Sequence, residues 1–545
     1  MSVTAPARTA TLSISMPKLK VLISDPISQR GVDALAEGGL LDVTFTPGLP
    51  HEELLKIIPE YSALVVRSQT KVGADVIAAG TKLKAIGRAG VGVDNVDVDA
   101  ATQRGIVVMN TPGGNTISTA EHAFSLLVSV ARKIPQADAS VKSGKWDRKS
   151  FEGTELNGKT LVILGMGRIG AEVAKRALAF GMRVIAYDPY LSEARARTLQ
   201  VELVENIDDA VPQADFVTMH MPLTNETRHM LDAKRLKSMK KGARIVNCAR
   251  GGLVDEVALS AELSSGHLAG AALDVFETEP PAADSPLRSA PNIVFTPHLG
   301  ASTAEAQESV GIEIAHAIRA VLLDGTINNA VNAPSVDSKT LAVLGPYLRL
   351  GESLGKFVAQ LAPKRCATLR IDFSGRARDI DTTPVTRSIL KGFLTHISGD
   401  EVNAINAPGL ADNLGLKVVE SKVSDSGEFT DLIQVTAGDG SISASAAGTF
   451  FGQKPRVVLV NGRHIEAQPD GVLLVLENKD RPGMVGHVGT LLGKHKVNIG
   501  SMSLGRDEAG GTALTILNLD STPSEDVMAE LRKDPDIVSA RTLSL

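Results

Sequence analysis

Cysteine is nearly absent from this chain: Cys248 and Cys366 are its only thiols, and they lie far apart. Two thiols allow at most one bridge, which excludes a disulfide-stapled secreted scaffold and fits a reducing, cytoplasmic compartment. Aromatic residues are scarce too, at 3%. No uninterrupted apolar run approaches the roughly 18 residues of a membrane helix, so a soluble protein without a membrane partner is expected. An excess of positive charge is also missing. The 57 Lys plus Arg face 62 Asp plus Glu, a net charge of −5, which argues against a nucleic-acid partner. Charge runs and low-complexity tracts are lacking as well. Residues 1–17 hold one basic residue and no apolar stretch long enough for a secretory signal, and one Arg is thin support for a transit peptide. They are expected to form a disordered tail, with Met16 as an alternative start.

What the chain has in quantity is apolar residues, at 43%, and glycine, 50 of its 545 residues. At roughly 150 residues per domain, that length implies three or four domains. From Lys20 onward, short apolar runs alternate with helix-period segments: Val21–Ser24, Ala63–Val66, Lys84–Gly87 and Ile106–Met109 read as buried strands. A long helix from Ser118 to about Ile134 leads into a second run with strands at Leu161–Leu164, Arg183–Tyr187, Phe216–Met219, Ala243–Asn247, Ala271–Leu273 and Asn292–Phe295. This alternation predicts two doubly wound α/β domains with parallel sheets. A helix from about Thr303 to Leu322 follows, and the polar stretch Gly325 to Val336 reads as a boundary. Beyond it Cys366–Phe373 alternates like a strand, Pro384–His396 like a helix, and Phe429–Phe451 like antiparallel strands around Gly438-Asp439-Gly440. Gln468–Gly471 reads as a second hinge, and 472–545 reads strand, helix, strand, strand, helix, strand, a ferredoxin-like module.

Gly165-Met166-Gly167-Arg168-Ile169-Gly170 follows a strand and opens a helix. Gly165 permits the tight turn, Gly167 lets the backbone approach a diphosphate, and Gly170 allows close helix–strand packing, while the helix N-terminus presents free N–H groups to the phosphates. Asp188 ends the next strand, where a carboxylate takes the ribose hydroxyls and repels a 2′-phosphate; NAD is therefore expected over NADP. A structural glycine turn with Asp188 as a helix cap is the plainer alternative.

Three loops at strand C-termini carry polar groups: Asn247–Gly252 with Arg250, Asp274–Pro280 with Glu279, and Thr296–Gly300 with His298. Hydride removal from a hydroxy acid needs a base for the hydroxyl proton, a carboxylate to hold that base, and a guanidinium to grip the substrate's carboxylate. His298, Glu279 and Arg250 supply one of each, although Arg250 and Glu279 also suit a simple ion pair. No metal-ligand constellation is expected.

These motifs, with Gly165–Gly170, Asn247–Asp255, Ala272–Pro280 and Thr296–Thr303, resemble the D-isomer-specific 2-hydroxyacid dehydrogenase family. Gly87–Asp97 and the last two modules resemble its long-form branch, which acts on D-3-phosphoglycerate, and the likeness spans Lys20 to Leu545. The resemblance implies catalytic Arg250, Glu279 and His298. It places Arg168 and Ile169 at the diphosphate, Asp188 at the ribose, Asp274 at the nicotinamide amide, and Cys248, Ala249, Gly300 and Ala301 beside the ring. Arg67, Ser68, Gly90 and Asn115 are implied as substrate contacts; Val91 stands where family members often have Thr, so no hydroxyl contact to cofactor is expected there. The implied domains are a discontinuous substrate domain (18–107 plus 299–330), an NAD domain (108–298), an α+β intervening domain (337–465) and a C-terminal ferredoxin-like ACT domain (472–545). The resemblance also implies a homodimer or homotetramer.

The segment 472–545 resembles amino-acid-sensing ACT domains, with Asn478–Gly483 as the turn and Val497-Asn498-Ile499 opening the second strand. Asp480 and, across a subunit interface, Asn498 are implied as contacts to an L-serine effector; the plainer reading makes Asp480 a helix cap. Lys454, Arg456, Arg463 and His464 form a modest basic cluster best read as solvated surface. The expected activity is NAD-dependent oxidation of D-3-phosphoglycerate, feeding serine synthesis. The alternatives are a reductase of 2-oxoglutarate, hydroxypyruvate or glyoxylate, and an NADH-sensing binding protein.

Overall fold

A computed structural model of the chain describes residues 18–545 apart from 364–365, 400, 425–426, 440–441 and 507. The expected tail 1–17, and Gly440 of the expected turn, lie outside the described residues.

Strands β1 (Leu19–Ile23), β2 (Leu41–Phe45), β3 (Ala63–Val66), β4 (Ala85–Arg88) and β5 (Val107–Met109) form a parallel sheet in the order β2-β1-β3-β4-β5. Runs such as Ala63–Val66 are buried at every position. Helices cover both faces, so these strands read as unbroken apolar segments rather than alternating ones. A second parallel sheet contains β6 (Thr160–Leu164), β7 (Arg183–Tyr187), β8 (Glu202–Val204), β9 (Phe216–Met219), β10 (Arg244–Asn247), β11 (Gly270–Leu273) and β12 (Ile293–Phe295). Its order, β12-β11-β10-β9-β6-β7-β8, puts the topological switch between β6 and β9, where doubly wound sheets hold their ligands.

Two helices join the sheets. Helix Thr116–Arg132 crosses from the first to the second, and helix Ala304–Arg319 returns. On the return helix Val310, Ile314 and Ile318 are buried with Val21, Ile23, Val65 and Val107 of the first sheet. Each such aliphatic side chain contributes about 1.5–3 kcal/mol of burial. The return helix also meets helix Gln29–Ala36 at a glycine pair: a Cβ on Gly31 would fall 2.8 Å from the Gly311 carbonyl carbon. The helices approach at backbone distance because neither residue has a side chain there.

The third sheet holds β13 (Thr368–Gly375), β14 (Lys417–Val423), β15 (Asp431–Gly438), β16 (Ser443–Phe451), β17 (Lys454–Val460) and β18 (Arg463–Ala467), backed by helices Ser338–Leu361 and Thr383–Ser398. The fourth holds β19 (Val472–Lys479), β20 (Ile499–Arg506), β21 (Thr512–Leu519) and β22 (Ile537–Ser544) in the order β20-β21-β19-β22, with helices Met484–Lys494 and Glu525–Lys533. Alternation along β19 serves two cores. Leu474 and Leu476 face the domain's own helices, while Leu473 and Val475 join the core of the preceding domain. Among the described residues no helix is long and apolar enough to cross a membrane.

Candidate active site

The loop after β12 places His298 in the left-handed region, at φ 55°. Its backbone N–H donates to the Asp274 carbonyl at 2.9 Å, which turns the imidazole out of the sheet. Nδ1 lies 2.8 Å from Glu279 Oε2, leaving Nε2 toward the cleft. The Glu279 hydrogen bond holds the His298 pKa above the usual imidazole value, against burial that works to lower it. Burial raises Glu279, but the bond and charge of His298 outweigh it and the net shift is downward. Glu279 is itself held by the Phe276 N–H, which donates to Oε1 at 3.1 Å. The resulting unit is a base oriented and charge-stabilised by a carboxylate.

Arg250 does not pair with Glu279. Its Nε lies 3.5 Å from Asp94 Oδ2, and Nη1 donates to the Ala249 carbonyl at 2.7 Å. Asp94 belongs to the first domain and its side chain is 77% exposed, so the contact leaves the guanidinium available across the cleft. Buried Asn247 shapes the loop, donating to the Arg250 carbonyl at 2.8 Å and accepting from the Ala249 N–H at 3.0 Å. Gly251 brings that loop against the Glu279 loop, where a Cβ would lie 1.8 Å from the Phe276 carbonyl oxygen.

A cavity of about 360 Å³ is lined by Ile169, Cys248, Ala249, Asp274, Gly300 and Ala301 of the expected cofactor set, along with His220. A second, of about 340 Å³, is lined by Arg67, Ser68, Gly90, Asn115 and Glu279. The two share Val91, Asn115, Arg250, His298 and Ala301, so a single cleft runs from one domain to the other past Arg250 and His298. A larger cavity of about 1040 Å³ lies between the helices of the third domain and Arg541 of the fourth, away from these residues.

The glycine turn fits a dinucleotide. Gly165 has φ 92°, a Cβ on Gly170 would lie 2.2 Å from the Gly165 carbonyl oxygen, and a Cβ on Gly167 would meet nothing within 4 Å. Gly167 caps helix Arg168–Ala179 without any side-chain bond, so the first N–H groups point into open space. Asp188 accepts from the Met166 N–H and the Tyr190 N–H, each at 2.8 Å. It thus braces the glycine loop as well as standing at the strand end expected for the ribose.

Asp274 is fully buried and braces the histidine loop. Oδ1 accepts from the Leu299 N–H at 2.7 Å and Thr296 Oγ1 at 2.6 Å, and Oδ2 from the Gly300 N–H at 2.9 Å. His122, on the crossing helix, lies 3.2 Å from Asp274 Oδ1 and 3.1 Å from Thr296 Oγ1. Ser118 and Thr119 of the same helix donate to the Gly300 carbonyl. Burial, then the Asp274 charge, pushes the Cys248 thiol far up, so it stands as a small neutral group. Burial also pushes His220 down to about 3, and its Nδ1 has no partner.

Sequence reasoning missed Arg88, at the end of β4. Its Nε is buried without a partner. Burial lowers its pKa, and the charges of Arg250 and Arg67 add to that effect. Gly90 and Gly92 make room for these groups, since a Cβ on Gly90 would lie 2.2 Å from Arg88 Nη1 and one on Gly92 2.1 Å from Arg250 Nη2. The one signal for Arg88 in the sequence is its place inside Gly87–Asp97, directly after the buried run Ala85–Gly87. Asn115 Oδ1 is likewise buried and unpartnered, facing the same cleft.

In the last domain Asp480 pairs with Arg506 at 3.2 Å, and Asn498 Nδ2 donates to Asp520 at 2.7 Å. Asp480 is not the helix cap; Gly483 occupies that position. Asp480 follows the end of β19, while Ile499 pairs with Leu519, which also faces the β19 start at Val472. The two residues therefore sit about 25 Å apart along one sheet, and one protomer does not bring them together. In the expected basic cluster, Arg456 lies 3.5 Å from Glu466 and Arg463 3.4 Å from Glu477.

Residues 124–300 match the family described as D-isomer specific 2-hydroxyacid dehydrogenase, NAD binding domain; 343–461 match the D-3-phosphoglycerate dehydrogenase intervening domain, and 472–536 the ACT domain. The chain is 44% identical over 527 residues to a D-3-phosphoglycerate dehydrogenase of Methanocaldococcus jannaschii, covering 97% of this chain and 100% of that one. It is 40% identical over 529 residues to one from Bacillus subtilis, covering 96% and 99%. Among solved structures, a glyoxylate reductase from Paecilomyes thermophila aligns with TM-score 0.54 and 32% identity, over 58% of this chain and 99% of that one. The structure, the matched domains and the near full-length relatives together show that the chain belongs to the D-isomer-specific 2-hydroxyacid dehydrogenases, in the D-3-phosphoglycerate dehydrogenase line that carries an intervening and an ACT domain.

Proposed function

We propose that the chain oxidises D-3-phosphoglycerate at C2 to 3-phosphohydroxypyruvate with NAD, the entry step to L-serine. The observation that carries this reading is the convergence of Arg67, Arg88 and Arg250 on the cleft that holds the His298–Glu279 pair. The substrate bears two anionic ends flanking the carbon to be oxidised, and three guanidinium groups beside one base complement that pattern.

Gly165, Gly167, Arg168, Ile169 and Gly170 would hold the cofactor diphosphate, and Asp188 would take the ribose and disfavour a 2′-phosphate. Cys248, Ala249, Gly300 and Ala301 would wall the ring, with Asp274 at its amide. A bound nicotinamide supplies the acceptor for the hydride that leaves C2. Arg250 orients the substrate carboxylate, and Ser68, Gly90 and Asn115 fit the carbon chain. His298 Nε2 takes the hydroxyl proton as the carbonyl forms, and Glu279 stabilises the imidazolium at Nδ1. Arg67 and Arg88 hold the phosphate, with the unpartnered Arg88 Nε meeting an oxygen.

His298→Ala is expected to lower kcat by about 10²–10⁴ with the fold intact, measured as NADH production from D-3-phosphoglycerate. Arg88→Met is expected to raise KM for D-3-phosphoglycerate by about 10–100-fold and to leave turnover of unphosphorylated hydroxypyruvate little changed. Equal loss on both substrates would remove Arg88 from the phosphate. Faster turnover of glyoxylate, hydroxypyruvate or 2-oxoglutarate than of D-3-phosphoglycerate by the native chain would overturn the substrate.

The last domain is read as the L-serine sensor. Because Asp480 and Asn498 stand at opposite ends of one sheet, a ligand held by both requires a second copy, which supports a homodimer or homotetramer. The two thiols, both free, suit the cytoplasm.

A further inference from the structure

The third and fourth domains are joined to the first two by one covalent connector, and that connector is hydrogen-bonded along the edge of the first sheet. Residues 327–336 form a closed loop in which Ile327 and Val336 exchange backbone hydrogen bonds at 3.1 and 2.7 Å. The loop lies along the free edge of β5: the Val331 N–H donates to the Val108 carbonyl at 2.8 Å, and the Asn110 N–H to the Asn329 carbonyl at 3.2 Å. Asn332 Oδ1 accepts from the Val108 N–H at 2.9 Å, and its Nδ2 donates to the Ile106 carbonyl at 2.8 Å. The strand so gripped runs directly into residues 110–115, from which the crossing helix to the cofactor domain begins.

One side chain links this loop to the cofactor site. Glu313, on the return helix, accepts from Asn329 Nδ2 at 2.9 Å through Oε1. Its other oxygen faces Gly113 in the crossing segment, and so does Arg168 from the glycine loop. A Cβ on Gly113 would lie 3.8 Å from Glu313 Oε2 and 3.7 Å from Arg168 Nη1. Burial raises the Glu313 pKa, while Arg168, Asn329 and the Gly113 amide oppose that rise. The carboxylate thus stands between connector, crossing segment and the arginine of the diphosphate loop.

We propose that Glu313 is a positioning residue that couples occupancy of the diphosphate site to the connector 327–336, holding Asn329 on one side and facing Gly113 and Arg168 on the other. Coupling between two sites is reciprocal, so a connector that transmits a signal to the cleft must also respond when the cofactor binds. The inference rests on the placement of the diphosphate at Gly165–Gly170 given above.

The test is amide hydrogen exchange of the full chain with and without NAD, for the native protein, Glu313→Gln and Asn329→Gly. Asn329 has φ 55°, a conformation glycine adopts readily, so the second variant removes the side chain and keeps the backbone. In the native protein NAD is expected to slow exchange both at 165–170 and, by about threefold, across 327–336. Both variants are expected to keep the first effect and lose the second. A connector response retained in full by both variants overturns the role of Glu313, as does a native connector indifferent to NAD while 165–170 is protected. Absence of protection at 165–170 in the native protein would instead overturn the diphosphate placement itself.

Discussion

At the residue scale the proposed chemistry depends on one strained position. His298 holds φ 55°, a region costing a non-glycine residue about 1 kcal/mol. Buried Asp274 offsets that cost by binding the next two amides, of Leu299 and Gly300. Glu279 raises the His298 pKa, and His298 must be neutral to accept the hydroxyl proton. Oxidation is therefore expected to fall as pH drops through a value above the ordinary imidazole range. In Glu279→Gln the acidic limb of kcat/KM should move to lower pH, because burial and the Arg250 charge then act unopposed by that carboxylate, while kcat falls by about 10² because the imidazolium is no longer stabilised. An acidic limb left in place by the substitution would show that another group carries the proton.

At the scale of elements, the return helix Ala304–Arg319 begins just beyond the histidine loop and is packed into the first sheet. Its close approach at Gly31 and Gly311 makes the position of that loop sensitive to helix spacing. Gly31→Leu is expected to destabilise the first domain by about 1–3 kcal/mol, read as a lower Tm, and to reduce kcat as the helix is pushed away. A side chain there with unchanged Tm and activity would show that the helices shift without consequence. Strand–turn–helix units were legible where a short apolar run is bounded by glycine or polar turns, as at Ala63–Val66 and Thr160–Leu164, because periodicity is a local property; β2, interrupted by Asp42 and Thr44, and the three-residue β8 gave no such run. His122 was not legible: it is one of several polar residues on helix Thr116–Arg132, and its partner Asp274 lies 152 positions away. Glu313 and Arg88 escaped for the same reason, being ordinary members of a helix and a strand until packing supplies their neighbours.

At the scale of the whole molecule, the third domain and the connector both reach the β5 region. Besides the connector, Asn403 and Asn406 of the third domain donate through Nδ2 to the Gly105 carbonyl at 2.9 Å and the Gln103 carbonyl at 3.5 Å, and Ile405 is buried in the core of the first sheet. Millimolar L-serine is expected to lower turnover of the native chain, and Asp480→Ala to raise the serine concentration needed by about tenfold, the loss of one charge-assisted contact. Serine-insensitive activity in the native enzyme would remove the effector assignment.

The sequence by itself determined the classes of chemistry. The strand, glycine turn, helix and following acid specify a dinucleotide fold because each is a local backbone requirement, and Arg250, Glu279 and His298 were nameable because three loops at strand ends carry them. Glu279 and His298 are separated by only 19 positions, in adjacent loops. Tertiary structure alone decided which charges face one another: that Arg250 pairs with Asp94 and not Glu279, that Arg67 and Arg88 join it, and that Asp480 and Asn498 stand apart. Those facts depend on how whole elements pack, and side-chain convergence across hundreds of residues leaves no periodic trace in the chain.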